Sequence, residues 1–384
     1  MVSFITGANL LDRLGPSLDE LHAATATPVT ARRPWLSAWT RCHPQYEPLA
    51  LLERDSCGRL DAVALLGARK TRLVTDFVAL GHGTSDQVRL PARDAGAAAR
   101  LARAVCAHLL SLRVPWRLLV RHLPAGDPVA AAIASTLPCA ELVGGDASPT
   151  LRFDASRSLR DHVSRNHRQQ VRRMLNRMRR DGLVPDIEHL RDPDQIASIL
   201  PQVEEVCRRR DLHLRGRSAL DRNGSCAFFE QVILDHASRG EVELTTLRLA
   251  GRLAAYVLCF VDDGVYRMWS CRLHPQWSRY GPGRVANNSA LERALTDPAG
   301  REFDWMRGEE PYKTSMSNHV ERAQDLLAWS APALQTFLDV PRRFKSLVNR
   351  VVWLKPALDA TRRLHIHGRR GGRAVVSALR RLSG

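Results

Sequence analysis

The sequence predicts a mixed α/β protein of two domains of similar size. Three observations carry this prediction. At 384 residues, the chain is longer than one compact domain usually is. Strand patterns with hairpin turns occur at residues 47–68 and again at 241–273, with helix patterns on either side. The composition, 44% hydrophobic and 25% charged, is typical of a globular protein and excludes a disordered or collagen-like chain.

In the first half, helices are predicted at about residues 10–23 and 33–41. The second of these carries Trp35 and Trp39 on one face, because residues four apart are neighbours on a helix. After the hairpin, apolar residues recur at helical spacing over about residues 95–112. A further strand and helix complete a unit that ends near residue 150.

The second half begins with a long basic helix that Gly182 ends. Ser158 and Asp161 have the spacing of a capping box at its start. One stripe of this helix holds Val163, His167, Val171, Met174 and Met178. The arginines must therefore cover its other faces. Three strands, a glycine-bearing loop, a helix and a short strand follow.

The net charge of +17 is concentrated in two segments. Residues 157–180 carry nine arginines against one acid, and residues 341–384 carry ten arginines and two lysines against one acid. These segments sum to +19, so the rest of the chain is close to neutral. The first segment either faces an anionic partner or is a solvated helix face. The tail either lies on an anionic membrane surface or packs against the C-terminal half of the chain.

The eight cysteines include no pair at the spacing of a zinc or redox site, so no metal is predicted. The longest continuous apolar run, residues 253–261, is much shorter than the roughly 20 residues of a bilayer helix. The first residues lack the basic and apolar regions of a secretory signal. We therefore expect a cytoplasmic location.

A turn at residues 279–284, Arg-Tyr-Gly-Pro-Gly-Arg, lies between a predicted strand and a predicted helix. The first turn of a helix presents free backbone N–H groups and a positive dipole end, which together bind pyrophosphate. Gly281 and Gly283 allow close backbone approach, and Arg279 and Arg284 add positive charge. The alternative interpretation is an ordinary turn with glycine at a bend.

Between Val265 and Lys313, a strand, the loop HPQWSRYGPG, a helix and the segment FDWMRGEEPYK follow one another. This order resembles the GNAT acetyltransferase superfamily, in the CelD-type, cellulose-biosynthesis-associated branch that is related to FemABX. The resemblance implies two tandem GNAT-like halves, each a mostly antiparallel sheet flanked by helices. It divides the chain into a degenerate half at 1–150, an acyltransferase half at 151–330 and a basic helical tail at 331–384.

The resemblance also implies an N-acyltransferase that uses acetyl-CoA as the donor. The acceptor that the resemblance implies is an amine of a small molecule, an amino sugar or a cell-envelope precursor, which would attack the thioester directly. Ser278 stands where the family usually has Gln or Arg, so the charged side chain comes one place later. The implied donor site comprises Ser270, Cys271, Arg272, Arg279, Gly281, Gly283 and Arg284.

Three residues near the end of this run are the candidates for catalysis. Tyr312 stands where the family places the acid that protonates the leaving thiolate, and Glu309 is a candidate base or anchor for a cationic acceptor. Lys313 is one of only four lysines, and FemABX enzymes place an acceptor-contacting lysine in this part of the fold. Packed or solvated side chains are the alternatives. Asp304 and Arg307 are expected to pair with each other.

Two alternative functions stay open from the sequence. The basic helix at 157–180 suits tRNA, nucleic acid, an anionic glycan or lipid, or CoA phosphates, and a FemABX-like transferase would take aminoacyl-tRNA. The tail mixes apolar and basic residues, as an interfacial helix on an anionic membrane does. A non-catalytic scaffold, peripheral on the inner membrane face or on a polysaccharide-synthesis assembly, is the other alternative.

Overall fold

In the computed structural model, which describes residues 2–154 and 159–334, twelve strands form one mixed sheet. The strands are β1 (Val2–Thr6), β2 (Glu47–Arg54), β3 (Leu60–Lys70), β4 (Thr75–Ala79), β5 (Trp116–Pro124), β6 (Ala140–Arg152), β7 (Asp186–Leu190), β8 (Val242–Leu249), β9 (Arg252–Asp262), β10 (Val265–Leu273), β11 (Glu302–Asp304) and β12 (His319–Trp329). The helices are α1 (Leu10–Ala24), α2 (Arg33–Cys42), α3 (Ala95–Ser111), α4 (Pro128–Thr136), α5 (Leu159–His162), α6 (Arg165–Arg180), α7 (Pro193–Arg215), α8 (Ser225–Ala237), α9 (Pro282–Thr296) and α10 (Pro311–Thr314). Almost all of the predicted basic tail, from residue 335 onwards, lies outside the described residues.

The order of elements occurs twice along the chain. In each half a first strand is followed by two helices, three antiparallel strands, a helix, a strand parallel to the one before it, another helix and a final strand. The parallel pairs are β4 with β5 and β10 with β11. The predicted fold class, a mixed α/β chain with two similar halves of mostly antiparallel sheet flanked by helices, is confirmed.

The final strand of each half is exchanged into the other half. β12 pairs with β5 of the N-terminal half, β6 pairs with β11 of the C-terminal half, and β6 and β12 pair with each other, all antiparallel. The sheet is therefore continuous through the described residues. The predicted boundary at residue 150 falls inside β6, and the division into two domains stays a prediction.

Helix α6 begins later than the capping box suggests. Ser164 is its N-cap, and the Ser164 hydroxyl accepts a hydrogen bond from the backbone N–H of His167 at 3.2 Å. The short helix α5 precedes it, and Ser158 lies outside the described residues. The predicted apolar stripe is confirmed, because His167, Val171 and Met178 are buried while most of the arginines are exposed.

Helices cover both faces of the C-terminal part of the sheet. Helices α7 and α8 share a core with Tyr256, Leu258 and Phe260 of β9. Helix α9 shares a different core with Val257 and Cys259 of the same strand. Successive side chains of a strand point to opposite faces of its sheet, so α7 and α9 lie on opposite faces.

The two halves also meet through an aromatic cluster. Trp35 of α2 is fully buried and makes edge-to-face contacts with Phe228 of α8, at 5.4 Å between ring centroids, and with Phe260 and Trp269, at 5.2 Å each. Trp39, one turn later, stacks instead on His43 within the N-terminal half. Edge-to-face pairs of this kind stabilise a core beyond the area they bury.

A buried polar cluster lies where β10, β11 and the N-terminal half meet. Arg267 donates to Asp262 at 2.7 Å and to Asp304 at 3.1 Å. Gln87 of the N-terminal half donates to Asp304 at 2.8 Å and accepts from Arg267 at 2.9 Å. Burial raises the pKa of Asp304 to about 6, and the Arg267 guanidinium offsets only part of that rise.

Replacing Asp304 by asparagine should reduce the pH dependence of stability between about pH 4 and pH 6. The pKa of Asp304 is higher in the folded chain than its ordinary 3.8, so the folded state binds the proton more tightly than the unfolded state. The protonated carboxyl of Asp304 contributes fully to the free energy of unfolding below the pKa that it has in the unfolded chain. This contribution is lost as the pH rises through its pKa in the folded chain. The loss amounts to about 2–3 kcal/mol.

Urea unfolding of the wild type and of D304N across this pH range measures the difference. Asp235→Asn, which removes a carboxylate from an exposed ion pair with Arg41, is the control for the loss of one charge. If the free energy of unfolding changed equally with pH in the wild type and in D304N, Asp304 would be ionised over this whole pH range.

Candidate functional site

A cavity of about 520 Å³ opens beside the C-terminal end of β10. Helix α9 contributes its first two turns, α7 its last turns, and α6 and α10 contribute side chains at the ends. The lining residues are His167, Arg210, Asp211, Leu214, Arg215, Cys271, Arg272, Leu273, Gly283, Arg284, Asn287, Tyr312 and Met316. Five of the predicted site residues, Cys271, Arg272, Gly283, Arg284 and Tyr312, are therefore brought together.

The cavity arises because two strands separate. β10 and β11 pair in parallel over three residue pairs only, and β11 ends at Asp304 while β10 continues to Leu273. The register of β10 against β9 also shifts between Met268 and Ser270, which marks a bulge. The last three residues of β10 thus line the cavity instead of pairing with β11.

The glycine turn forms the entry to α9. Gly281 is the N-cap residue of α9 and has φ +63°, in the left-handed region that favours glycine. A Cβ at Gly281 would lie 2.8 Å from the Met174 side chain of α6, so α6 packs directly over the turn. Gly283 lines the cavity, and a Cβ on it would lie 3.2 Å from Leu273. Arg284 adds a positive charge at this helix end.

Tyr312 and Cys271 lie next to each other in the cavity wall. The Tyr312 hydroxyl lies 4.0 Å from the Cys271 sulfur. Burial raises the pKa of the Cys271 thiol above its ordinary value, and burial likewise raises the pKa of the Tyr312 phenol. Both groups are therefore protonated at neutral pH, and the phenol can act as a hydrogen-bond donor or an acid.

Arg272 and Ser270 take different roles on β10. The Arg272 guanidinium donates to the carbonyl of Cys271 at 2.8 Å and pairs with Asp211 of α7 at 3.8 Å. Ser270 is buried and shares a hydrogen bond of 2.9 Å with the Tyr256 hydroxyl. The side chain of Ser270 is thus engaged in the core, whereas Arg272 forms part of the cavity wall.

Arg279 lies outside the cavity lining. Its guanidinium pairs with Asp181 at the end of α6 and lies over the Tyr280 ring, 4.6 Å from the ring centroid. Arg177 of α6 donates to the carbonyl of Arg279. These contacts attach the turn to α6, which gives Arg279 a structural explanation in addition to the predicted diphosphate contact.

A hydrogen bond and an ion pair of the buried Lys313 hold the loop after β11. Lys313 is 6% exposed, and its ammonium donates to the carbonyl of Arg307 at 2.7 Å and pairs with Glu310 at 3.1 Å. Glu309 is exposed and does not line the cavity. The expected pairing of Asp304 with Arg307 is wrong. Arg307 pairs instead with Asp86 at 3.2 Å, because the N-terminal half brings an acid to it that the sequence places far away.

Several cavity residues carry no signal in the sequence. Asn287, one turn into α9, is 7% exposed, and its side-chain oxygen has no hydrogen-bond partner within the structure as described. A buried acceptor of this kind is normally satisfied, so a ligand donor fits here. His167 bonds Asn288 at 3.1 Å, and burial lowers the pKa of its imidazole, which favours the neutral ring. Helical periodicity assigns His167 to the core only.

One group of potential metal ligands lies away from the cavity. Glu204, Cys226 and Glu230 bring ligand atoms within 4.8 Å of one another. Arg208 donates to Glu204 at 2.9 Å and to the Cys226 sulfur at 2.9 Å, so a guanidinium already binds two of the three groups.

A family model for the acetyltransferase (GNAT) domain matches residues 165–314. The match runs from the start of α6 to the end of α10 and includes the glycine turn, the separated strands and Tyr312. The chain contains a GNAT acetyltransferase domain. The family that this domain matches is an acetyltransferase family. No curated protein matches the sequence closely enough to serve as a relative.

Two solved structures share the fold over most of their length. FemX is 10% identical with a TM-score of 0.58, and the match covers 80% of this chain and 95% of FemX. A conserved protein of unknown function from Bacteroides thetaiotaomicron VPI-5482 is 11% identical with a TM-score of 0.54, and the match covers 85% of this chain and all of that chain. At such identities the likeness concerns the fold alone. Among the helices of the described residues, none has both the length and the apolar character that a membrane crossing requires.

No described residue of the N-terminal half lines the cavity, but one loop of this half contacts the segment of the GNAT domain that leads to Tyr312. Residues 80–94 connect β4 to α3, as the glycine turn connects β10 to α9. Val88 and Leu90 of this segment are buried in the N-terminal core. Gln87 and Asp86 of the same segment contact Asp304 and Arg307 of the GNAT domain. The segment thereby supports the loop that leads to Tyr312.

Replacing Lys313 by methionine should lower stability by about 1–3 kcal/mol, because the Arg307 carbonyl and Glu310 lose a buried partner. Denaturant unfolding measures this loss. Lys70→Met is the control, since Lys70 is exposed, and should change little. If K313M is as stable as the wild type but fails in transfer, the ammonium acts on the acceptor instead of holding the loop.

Proposed function

We propose that the protein transfers an acyl group, in the first place acetyl, from acyl-CoA to the amine of a small molecule, an amino sugar or a cell-envelope precursor. The observation that carries the proposal is the cavity at the separation of β10 and β11, which places the start of α9 beside Tyr312. The matched family is an acetyltransferase family, and its usual donor is consistent with this cavity.

In this proposal the diphosphate of the donor lies at the first turn of α9. Free N–H groups, the helix dipole and the Arg284 guanidinium all favour an anion there. The pantetheine arm then follows the unpaired end of β10, and Asn287 accepts a hydrogen bond from one of its amide N–H groups. The thioester then lies beside Cys271 and Tyr312, which both line the cavity.

The chemistry proposed is direct attack of the amine on the thioester. The raised pKa of Cys271 keeps its thiol protonated, which disfavours an acyl-cysteine intermediate. Backbone N–H groups of β10 around residues 270–272 stabilise the oxyanion. Tyr312 protonates the leaving thiolate. The attacking ammonium loses its proton to solvent water, because the predicted base Glu309 is exposed and does not line the cavity. In this scheme the N-terminal half is degenerate and supports the GNAT domain.

Calorimetric titration with acetyl-CoA, free CoA and longer acyl-CoAs tests the donor. We expect micromolar binding in the wild type and at least tenfold weaker binding in Gly283→Val, because the added carbons press on Leu273 and narrow the cavity. Gly144→Val is the control, since a Cβ at Gly144 meets no atom within 4 Å. A folded wild-type protein that binds none of these donors would overturn the proposal.

Tyr312→Phe should lower the turnover number by about 100-fold, because general acid catalysis contributes roughly that much or more. The acetyl-CoA dissociation constant should stay within about twofold, since the ring still packs on Trp305. Release of the CoA thiol, followed with a chromogenic disulfide, gives the rate. A variant with an unaltered rate would remove Tyr312 from the mechanism.

A second candidate is a transferase that takes aminoacyl-tRNA. The exposed arginines of α6 favour it, because this helix also contributes His167 to the cavity wall. Salt-dependent tRNA binding together with no affinity for acyl-CoA would support it. A scaffold role at a membrane or a polysaccharide-synthesis assembly depends on the tail, which lies outside the described residues. A cytoplasmic location, peripheral to the inner membrane, stays a prediction.

A further inference from the structure

The cavity reaches both faces of the sheet. Helix α9, with the proposed donor turn, packs on one face, and α7 packs on the other. The last turns of α7 nevertheless line the same cavity, through Arg210, Asp211, Leu214 and Arg215. A donor bound at α9 with its thioester in the gap between the strands therefore leaves the α7 side open to the acceptor.

The α7 side of the cavity carries excess positive charge. Among the described residues, no acid lies within ion-pair distance of Arg210 or Arg215. Asp211 does not offset them, because it is 2% exposed, pairs with Arg272 at 3.8 Å and accepts from the backbone N–H of Ala219 at 3.0 Å. Both arginines line the cavity, and no acid among the described residues pairs with either of them.

The last turn of a helix favours cations through its dipole, but the dipole does not select which side of the helix they occupy. Arg209 shows the alternative, because it points away from the cavity and pairs with Glu205 at 3.6 Å. Guanidiniums bind carboxylates and phosphates with paired, charge-assisted hydrogen bonds. These guanidiniums would repel an acceptor that carried a further positive charge besides its amine.

We propose that the acceptor is an amine that also carries a carboxylate or a phosphate, and that Arg210 and Arg215 bind this anionic group. The inference rests on the proposed function for its acceptor, but the anion site itself is a property of the α7 wall. The 3′-phosphate of CoA has the same chemistry and is the competing occupant.

Titration of the CoA-saturated protein with inorganic phosphate tests the site, followed calorimetrically. We expect phosphate to bind alongside CoA, and to bind at least tenfold more weakly when both arginines are replaced in R210Q/R215Q. R209Q, the matched control, should bind phosphate as the wild type does. R210K/R215K retains the two charges and should restore part of the affinity, which separates loss of charge from loss of folding.

A parallel titration with CoA and dephospho-CoA separates the two occupants. Unchanged affinity of R210Q/R215Q for both would support an acceptor site. Exclusion of phosphate by CoA, or a loss of affinity for CoA but not for dephospho-CoA, would assign the arginines to the donor and overturn the proposal. Equal phosphate affinity in the wild type and R210Q/R215Q would overturn it as well. If CoA itself fails to bind, the proposed function fails, and phosphate titration of the free protein still decides the anion site.

Discussion

The exchange of the two final strands is the constraint on which the rest of the structure depends. β11 is three residues long and pairs with β10 on one side and with β6, from the other half, on its other side. Beyond β11, Trp305 and Gly308 continue to bond β6, through the carbonyls of Pro149 at 3.1 Å and Ala147 at 2.9 Å. The segment that leads to Tyr312 thus follows β6 while β10 follows β9, and the cavity forms where they part.

Burial then sets the chemistry of the cavity wall. It keeps Cys271 and Tyr312 protonated and favours a neutral His167, so the positive charge of the wall comes from its arginines. Burial also divides helix α6 into two distinct surfaces. Its apolar stripe packs on α9 and closes over the glycine turn, and its arginines remain in solvent. One helix therefore both shapes the donor end of the cavity and presents a basic surface next to it.

Local patterns in the sequence determine the secondary structure well. The helix predicted over residues 95–112 is α3, Ala95–Ser111, because apolar spacing alone specifies its buried face. The hairpins and the stripe of α6 are confirmed for the same reason. Gly281 was identifiable as a turn residue, since a strand, a glycine and a helix in succession leave few backbone conformations. The candidate acid Tyr312 came from the resemblance to the GNAT superfamily, and the structure places it at the cavity.

Contacts between distant segments were decided only by the tertiary structure. Nothing near β6 or β12 in the sequence signals their exchange, because a strand edge pairs through backbone groups that every residue carries. Arg307 pairs with Asp86, and Asp304 bonds Arg267 and Gln87, so the nearest opposite charge in sequence was the wrong choice. Likewise, α7 has arginines on several faces, and only the packing of α7 across the strand gap makes Arg210 and Arg215 cavity residues. Periodicity determines which side of a helix is buried, but the neighbours that meet its other sides depend on the whole fold.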